Sequence, residues 1–222
     1  MRIGFAFCAE RAAHEEILAF CAAARQEAAA VFSGDLQIVV LILSDDPPGT
    51  ERFADCVIHA HPSFFDKPEL TLLRLGSSIA RLDYLVISRF GGRFNPTHLR
   101  ELLPNHFAAH AGASIPQYHY NGEAAVPVTI GDLAHDFECH LLGSCVGRND
   151  NLDLQPDVFL FSRPTVDELL RQDWRSSRTG FALECSAIIL ASTIAVTAPT
   201  LMLSPYEHKP YPYDQRNARE RL

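Results

Sequence analysis

Apolar positions fall along this chain in two rhythms. Residues 2–8 (RIGFAFC), 37–43 (QIVVLIL), 83–88 (DYLVIS) and 157–161 (DVFLF) are short, nearly continuous apolar runs. Such runs predict strands buried on both faces of a sheet. Cys56–His61 reads as a further short strand. Between the strands the period changes. Residues 12–32 set Ile17, Cys21, Ala24, Ala28 and Val31 on one helical stripe, which Ser33-Gly34-Asp35 ends. Residues 70–82 predict a second helix, with Leu73, Ile79, Ala80 and Leu82 available to pack. Asn95-Pro96 has the form of an N-cap followed by proline in the first turn, opening a helix through Leu103. Thr165-Val166-Asp167-Glu168 is a capping-box pattern that opens another.

Two stretches are less regular. From Pro104 to Asn151 the chain is rich in Gly, Asn and His, which predicts loops and short strands. Between Glu184 and Glu207 there is no charged residue, long enough to raise a membrane span. That stretch carries Ser186, Ser192, Thr193, Thr197, Pro199 and Thr200, however. It divides into a helical half (Cys185–Ala191) and a β-branched half (Thr193–Leu203), so a buried helix followed by a buried strand is the better reading.

Strands alternating with helices predict a single α/β domain, a mainly parallel sheet flanked by helices over residues 1–204. Residues 205–222, with Tyr206, Tyr211 and Tyr213 but few aliphatics, read as an arm or lid. In such sheets ligands sit beyond the carboxyl ends of the strands. That rule selects Cys8–Arg11, Ser44–Asp46 and Ser88–Arg93.

Composition narrows the class. The 222 residues are 47% hydrophobic and 21% charged, which suits one compact domain and excludes disorder as the main state. The net charge of −8 argues against a nucleic-acid partner. Of the 19 basic residues 17 are Arg, with only Lys67 and Lys209 as lysines; 27 alanines point to a compositional bias as the general cause. Six scattered cysteines without a Cys-x-x-Cys pair predict reduced thiols in a cytoplasmic protein. The N-terminus reads as a first strand and not a signal peptide, and any membrane association as peripheral.

Several motifs are missing. There is no G-x-G-x-x-G after the first strand, no G-x-x-x-x-G-K-[ST] and no G-x-S-x-G. His135, Asp136, Glu138, Cys139 and His140 are dense, but their spacing matches no familiar zinc pattern.

The segment LGSSIARLDYLVISRFGGRF carries more information. It resembles the central segment of bacterial glycosyltransferase-like proteins of the polysaccharide-biosynthesis type, with a GT-A, Rossmann-like fold. In those proteins a helix leads into a strand of form D-Y-V-I-x-x-R-x-D-x-x-F. Here Asp83–Ile87 supply the strand, Arg89 the arginine and Phe94 the closing aromatic. Asp157–Phe161 with Ser162-Arg163 resembles the group's second landmark, and Gly180–Glu184 a third, a Glu heading a late helix. The opening strand to Arg11 also fits, so the resemblance runs in order along nearly the whole chain.

The resemblance implies sugar transfer from a nucleotide-sugar donor to a saccharide or lipid-linked acceptor. Cys8, Arg11, Asp45, Arg89 and Arg93 would contact the donor, and Asp157 and Glu184 would be the catalytic carboxylates. One departure stands out: Gly91 occupies the place of an acid that helps hold Mg²⁺ or Mn²⁺ against the diphosphate. A metal would then have to be held by Asp45, Asp46 or Asp150, or cationic side chains would replace it.

Each residue also has a plainer reading. Arg89 and Arg93 fit a solvated loop, Arg11 a helix start, and Cys8 a buried inert thiol. Asp157 fits a strand-turn cap, Glu184 a favourable charge in a first helical turn, and Asp45 and Asp46 a polar DDPPG turn. Two other functions remain open: a non-catalytic nucleotide- or carbohydrate-binding module of the same fold, and a metal-dependent hydrolase around His135, Asp136, Glu138 and His140. A homo-oligomer is compatible with all of them.

Overall fold

A computed structural model describes residues 1–10, 14–44, 54–61, 68–120, 157–174 and 181–203. The first half of the chain alternates as expected: β1 (Arg2–Glu10), α1 (His14–Val31), β2 (Asp35–Leu43), β3 (Cys56–Ala60), α2 (Pro68–Ser77) and β4 (Tyr84–Arg89). A 3-10 turn (Pro96–His98) then runs into α3 (Leu99–Ala108), followed by the short strands β5 (Ala113–Ser114) and β6 (Gln117–Tyr120). The last part comprises β7 (Val158–Ser162), α4 (Arg163–Arg171), α5 (Phe181–Ala191), β8 (Val196–Thr197) and β9 (Thr200–Leu203).

Seven strands form one sheet in the order β3-β2-β1-β4-β7-β5-β8, and β6 pairs with β9 in a two-stranded sheet. The first four are parallel. β7 is antiparallel to both β4 and β5, so the sheet is mixed although mostly parallel.

The apolar runs are buried on both faces because alternate side chains enter two separate cores. Ile3, Phe5, Phe7 and Ala9 point to one side with Ile38, Val40 and Leu160, where α1 and α3 cover them. Ala6 and Cys8 point to the other with Leu41, Leu85, Ile87 and Phe161, covered by α2, α4 and α5. The predicted α1 stripe is the buried one at Ile17, Cys21, Ala24 and Ala28. Phe94, the closing aromatic of the motif, is a core residue packed on Phe5 with ring centroids 6.1 Å apart.

Element ends differ from the sequence reading in physically clear ways. The second helix stops at Ser77, short of Leu82. Ser77 and Ser78 turn their hydroxyls back onto the carbonyls of Arg74 and Leu75, at 2.7 and 2.6 Å, competing with the helical ladder. Arg81 then adopts φ 58°, outside the helical region. The helix opened by Asn95 continues past Leu103 to Ala108 with Pro104 inside it. Burial of Leu102, Leu103 and His106 outweighs the one ladder bond proline removes. Asn95 is the expected cap: its Oδ1 accepts from Thr97 N–H at 3.1 Å, while its own N–H donates to His98 Nδ1 at 3.1 Å. α4 starts earlier than the Thr165 box, at Arg163, with Ser162 as its N-cap and Pro164 in the first turn. Its Glu168 instead accepts from Arg171 and Gln172. The expected late strand is two, β8 and β9, in different sheets, with Pro199 between them unable to donate to either ladder.

Among the described residues no helix is long and apolar enough to cross a membrane. Burial shifts three side chains. His106, lodged under Ser114 (Nδ1 to Oγ 2.7 Å) and edge-on to Tyr84, is pushed down to about 4. Burial raises Cys21 to about 11 and moves Cys185 well above the usual thiol range.

Candidate functional site

The carboxyl ends of β1 and β4 lie side by side, with Cys8 in register with Arg89. Phe90 N–H donates to the Cys8 carbonyl at 2.9 Å, tying the turn after β4 to the end of β1. Because β7 runs antiparallel, its start, not its end, reaches this edge. Asp157 precedes Val158, which pairs with Ser88, and the Asp157 carbonyl accepts from Arg89 N–H at 3.1 Å. α2 completes the edge by bringing Glu69 over Arg89.

These pieces surround an open cavity of about 260 Å³, lined among others by Cys8, Glu69, Arg89, Gly91, Gly92 and Asp157. A second, very small pocket shares Glu69, Arg89 and Asp157 with it and is lined further by Ser88, Phe159, Phe181 and Ala182 at the start of α5. The ring of Phe90 is steadied from behind by Phe7 and Phe20, with centroids at 6.2 and 5.1 Å.

Two ion pairs organise the charge. Arg89 Nε donates to Glu69, whose side chain is only 6% exposed while that of Arg89 is 52% exposed. Arg93 binds Asp157 twice, both times at Oδ2: through its backbone N–H at 2.7 Å and through Nε at 3.3 Å. Arg93 and Asp157 are 14% and 11% exposed. Burying carboxylates this deeply requires such partners.

The two glycines make this arrangement possible for different reasons. Gly91 has φ +79°, a conformation that side chains with a Cβ resist. Gly92 instead is pressed on Asp157: a Cβ there would lie 2.8 Å from Asp157 Cγ and 3.0 Å from Oδ2. Absence of a side chain at 92 lets the carboxylate reach the Arg93 backbone.

Of the residues singled out from sequence, Cys8, Arg89 and Asp157 line the cavity, and Arg93 joins it through Asp157. Glu184 stands in the first turn of α5, beyond Phe181 and Ala182, and is not among the lining residues. Arg11, Asp45, Asp46, Asp150 and the cluster from His135 to His140 lie outside the described residues, as does the tail after Leu203. Glu69 was missed. Its pairing with Arg89 spans 20 positions, and the only local signal was a Pro68-Glu69 helix start. Gly92 was legible as half of a Gly-Gly pair at a strand end, which signals close backbone approach.

The divalent cation implied by the sequence resemblance fits these residues poorly. Mg²⁺ and Mn²⁺ want several oxygen ligands in near-octahedral array. Among the described residues the cavity offers two carboxylates, each already paired with an arginine, and Gly91 contributes no side chain. Among the described residues no group of three or more His, Cys, Asp or Glu is placed to hold a metal.

No protein-family model and no curated protein sequence matches the chain. Solved structures do. The crystal structure of Rv0371c from Mycobacterium tuberculosis H37Rv is 13% identical with a TM-score of 0.50, covering 99% of this chain and 95% of that one. That of S. aureus TarS 1–349 in complex with UDP is 11% identical with a TM-score of 0.49, covering 93% of this chain. This chain spans only 62% of the TarS structure. At these identities the likeness is one of fold.

Proposed function

We propose that this chain is a glycosyltransferase that binds a nucleotide sugar at the carboxyl edge of the sheet and passes the sugar to a saccharide or lipid-linked acceptor. One observation carries the reading: Arg89 and Asp157, 68 positions apart and both drawn from the motif order of glycosyltransferase-like proteins, converge on one cavity with Cys8. Arg89 supplies the cation for the diphosphate. Asp157 is the carboxylate nearest the transfer, taking the proton of the acceptor hydroxyl as its oxygen bonds the anomeric carbon and the bond from that carbon to the diphosphate breaks. Arg93 holds Asp157 in place. Glu184 would act on the acceptor side, from the first turn of α5.

A second reading, a binding module without transfer, is favoured by one observation, the replacement of the expected acid by Gly91. A single series separates them. Thermal-shift screening of the full chain against nucleoside diphosphates and nucleotide sugars identifies the donor base, and release of nucleoside diphosphate with acceptor present reports transfer. A nucleotide that raises the melting temperature, with turnover lost in Asp157→Asn, supports the transferase. Binding without turnover for any acceptor supports the module, and no stabilisation by any nucleotide sinks the transferase and a nucleotide-binding module alike.

A further inference from the structure

We infer that His98 is a positioning residue for the cavity. As a neutral imidazole with its proton on Nε2, it fastens the turn after β4 to β9. The inference does not depend on which ligand the cavity takes.

The ring is buried, 4% exposed, at the end of the 3-10 turn that runs into α3. Its two nitrogens meet partners of opposite kind. Nδ1 accepts at 3.1 Å from the Asn95 backbone N–H, which can only donate. Nε2 lies 3.2 Å from the Met202 carbonyl, which can only accept. One form of the imidazole satisfies both, bare at Nδ1 and protonated at Nε2. The other tautomer and the imidazolium would each set a ring N–H against the Asn95 N–H. Further neighbours of the ring do not alter this, because a nitrogen that accepts from Asn95 carries no proton.

What the ring joins gives these bonds their use. On one side is the run from Gly91 to Asn95. Gly91 and Gly92 line the cavity, and Arg93 N–H holds Asp157 at 2.7 Å. Phe94 is buried in the core, its ring 5.8 Å from that of His98. The run is therefore tied at Asp157 in its middle and at His98 at its end. On the other side is β9. Among the described residues it pairs with β6 alone, Met202 opposite His119, outside the seven-stranded sheet. Two strands by themselves are marginal in water. Burial of Leu201 in the core with Leu99 and Leu102, and the bond from His98 to Met202, attach the pair to the rest of the domain.

Two substitutions separate the two sides. In His98→Asn the amide oxygen takes the place of Nδ1, keeping the Asn95 partner and losing Met202. In His98→Gln the amide nitrogen reaches the place of Nε2, keeping Met202 and losing Asn95. The experiment is hydrogen exchange on the full chain near neutral pH. His98→Asn should speed exchange of residues 200–203 at least about fivefold, the scale of one hydrogen bond, and leave residues 91–95 as they are. His98→Gln should do the reverse, with the Arg93 and Asn95 amides faster by about the same factor. Exchange in β1 and β4 should be unchanged in both. Proton–nitrogen correlation NMR of the unsubstituted chain should show the ring that His98→Gln removes as protonated at Nε2 only. A proton on Nδ1 overturns the inference without any variant having to fold. So does faster exchange spread evenly over β1, β4 and β9, which is general destabilisation, or unchanged exchange on either side.

Discussion

Neighbouring glycines 91 and 92 should respond to substitution in opposite ways, because one is required by backbone angle and the other by space. In Gly92→Ala the new methyl sits 2.8 Å from Asp157 Cγ, too close for any real contact, so the carboxylate must move. That carboxylate is held by Arg93 N–H at 2.7 Å and Nε at 3.3 Å, and it is 11% exposed. Overpacking costs about 1–3 kcal/mol, and a lost charge-assisted hydrogen bond costs about 1.5–3. Movement relieves one at the expense of the other, so the net loss should be about 2–3 kcal/mol. For a chain of this size that lowers Tm by roughly 4–12 °C. Gly91→Ala meets no atom within 4 Å and carries only the left-handed backbone cost, about 1–2 kcal/mol. Asparagine separates the causes. Gly91→Asn should be milder than Gly91→Ala, since asparagine tolerates φ +79°, whereas Gly92→Asn should be at least as damaging as Gly92→Ala. The decisive assay is a double-mutant cycle by urea denaturation. In an Asp157→Ala background Gly92→Ala should lose most of its penalty, a coupling of about 1–2 kcal/mol. An unchanged penalty there would refute the assignment of Gly92 to the Asp157 carboxylate.

Three further outcomes are expected. His106 should make stability pH-dependent: its folded value of about 4 lies below the unfolded 6.5, so stability is full above 6.5 and lost as pH falls towards 4, on the order of 3 kcal/mol. Urea midpoints from pH 7 to pH 4 should flatten in His106→Gln, and equal slopes in both proteins would contradict this. Asn95→Ala should lower stability by about 1 kcal/mol through loss of its cap on Thr97, and a melting temperature within error of the parent would refute the cap. Exposed Cys56 should react with a thiol reagent in the native protein while buried Cys21 and Cys185 wait for denaturant. The Cys56→Ser variant should lose one fast equivalent; an unchanged count would disprove it.

Much of this architecture can be read from the chain because burial writes itself into composition. β1, β2 and β4 have no polar face to hide, so their apolar runs leave little choice but a covered, mostly parallel sheet. Helix ends were harder. Nothing in the periodicity of residues 70–82 shows that two serine hydroxyls will turn back on the ladder at Ser77. The candidate site was half legible. Arg89 and Asp157 could be placed at strand ends, but the direction of β7 is a tertiary property that no local pattern encodes. Had β7 been parallel, Asp157 would lie at the opposite edge of the sheet from Arg89. Glu69 was invisible for a similar reason, since its partner lies on another element.

The reversed strand also decides which part of the chain carries Asp157. Among the described residues its place is set from its C-terminal side: the β7 ladder against β4, Ser162 N–H on the Gly112 carbonyl at 2.8 Å, and Arg163 N–H on the Asp83 carbonyl at 2.8 Å. Covalent connection to Tyr120 contributes none of these bonds. The prediction is that a chain severed between residues 121 and 156 brings Asp157 to Arg89 once its two pieces associate, and failure to rebuild the cavity would refute it. That makes the protein a natural subject for fragment complementation, in which reunion of the halves rebuilds the cavity and nucleotide binding reports the reunion.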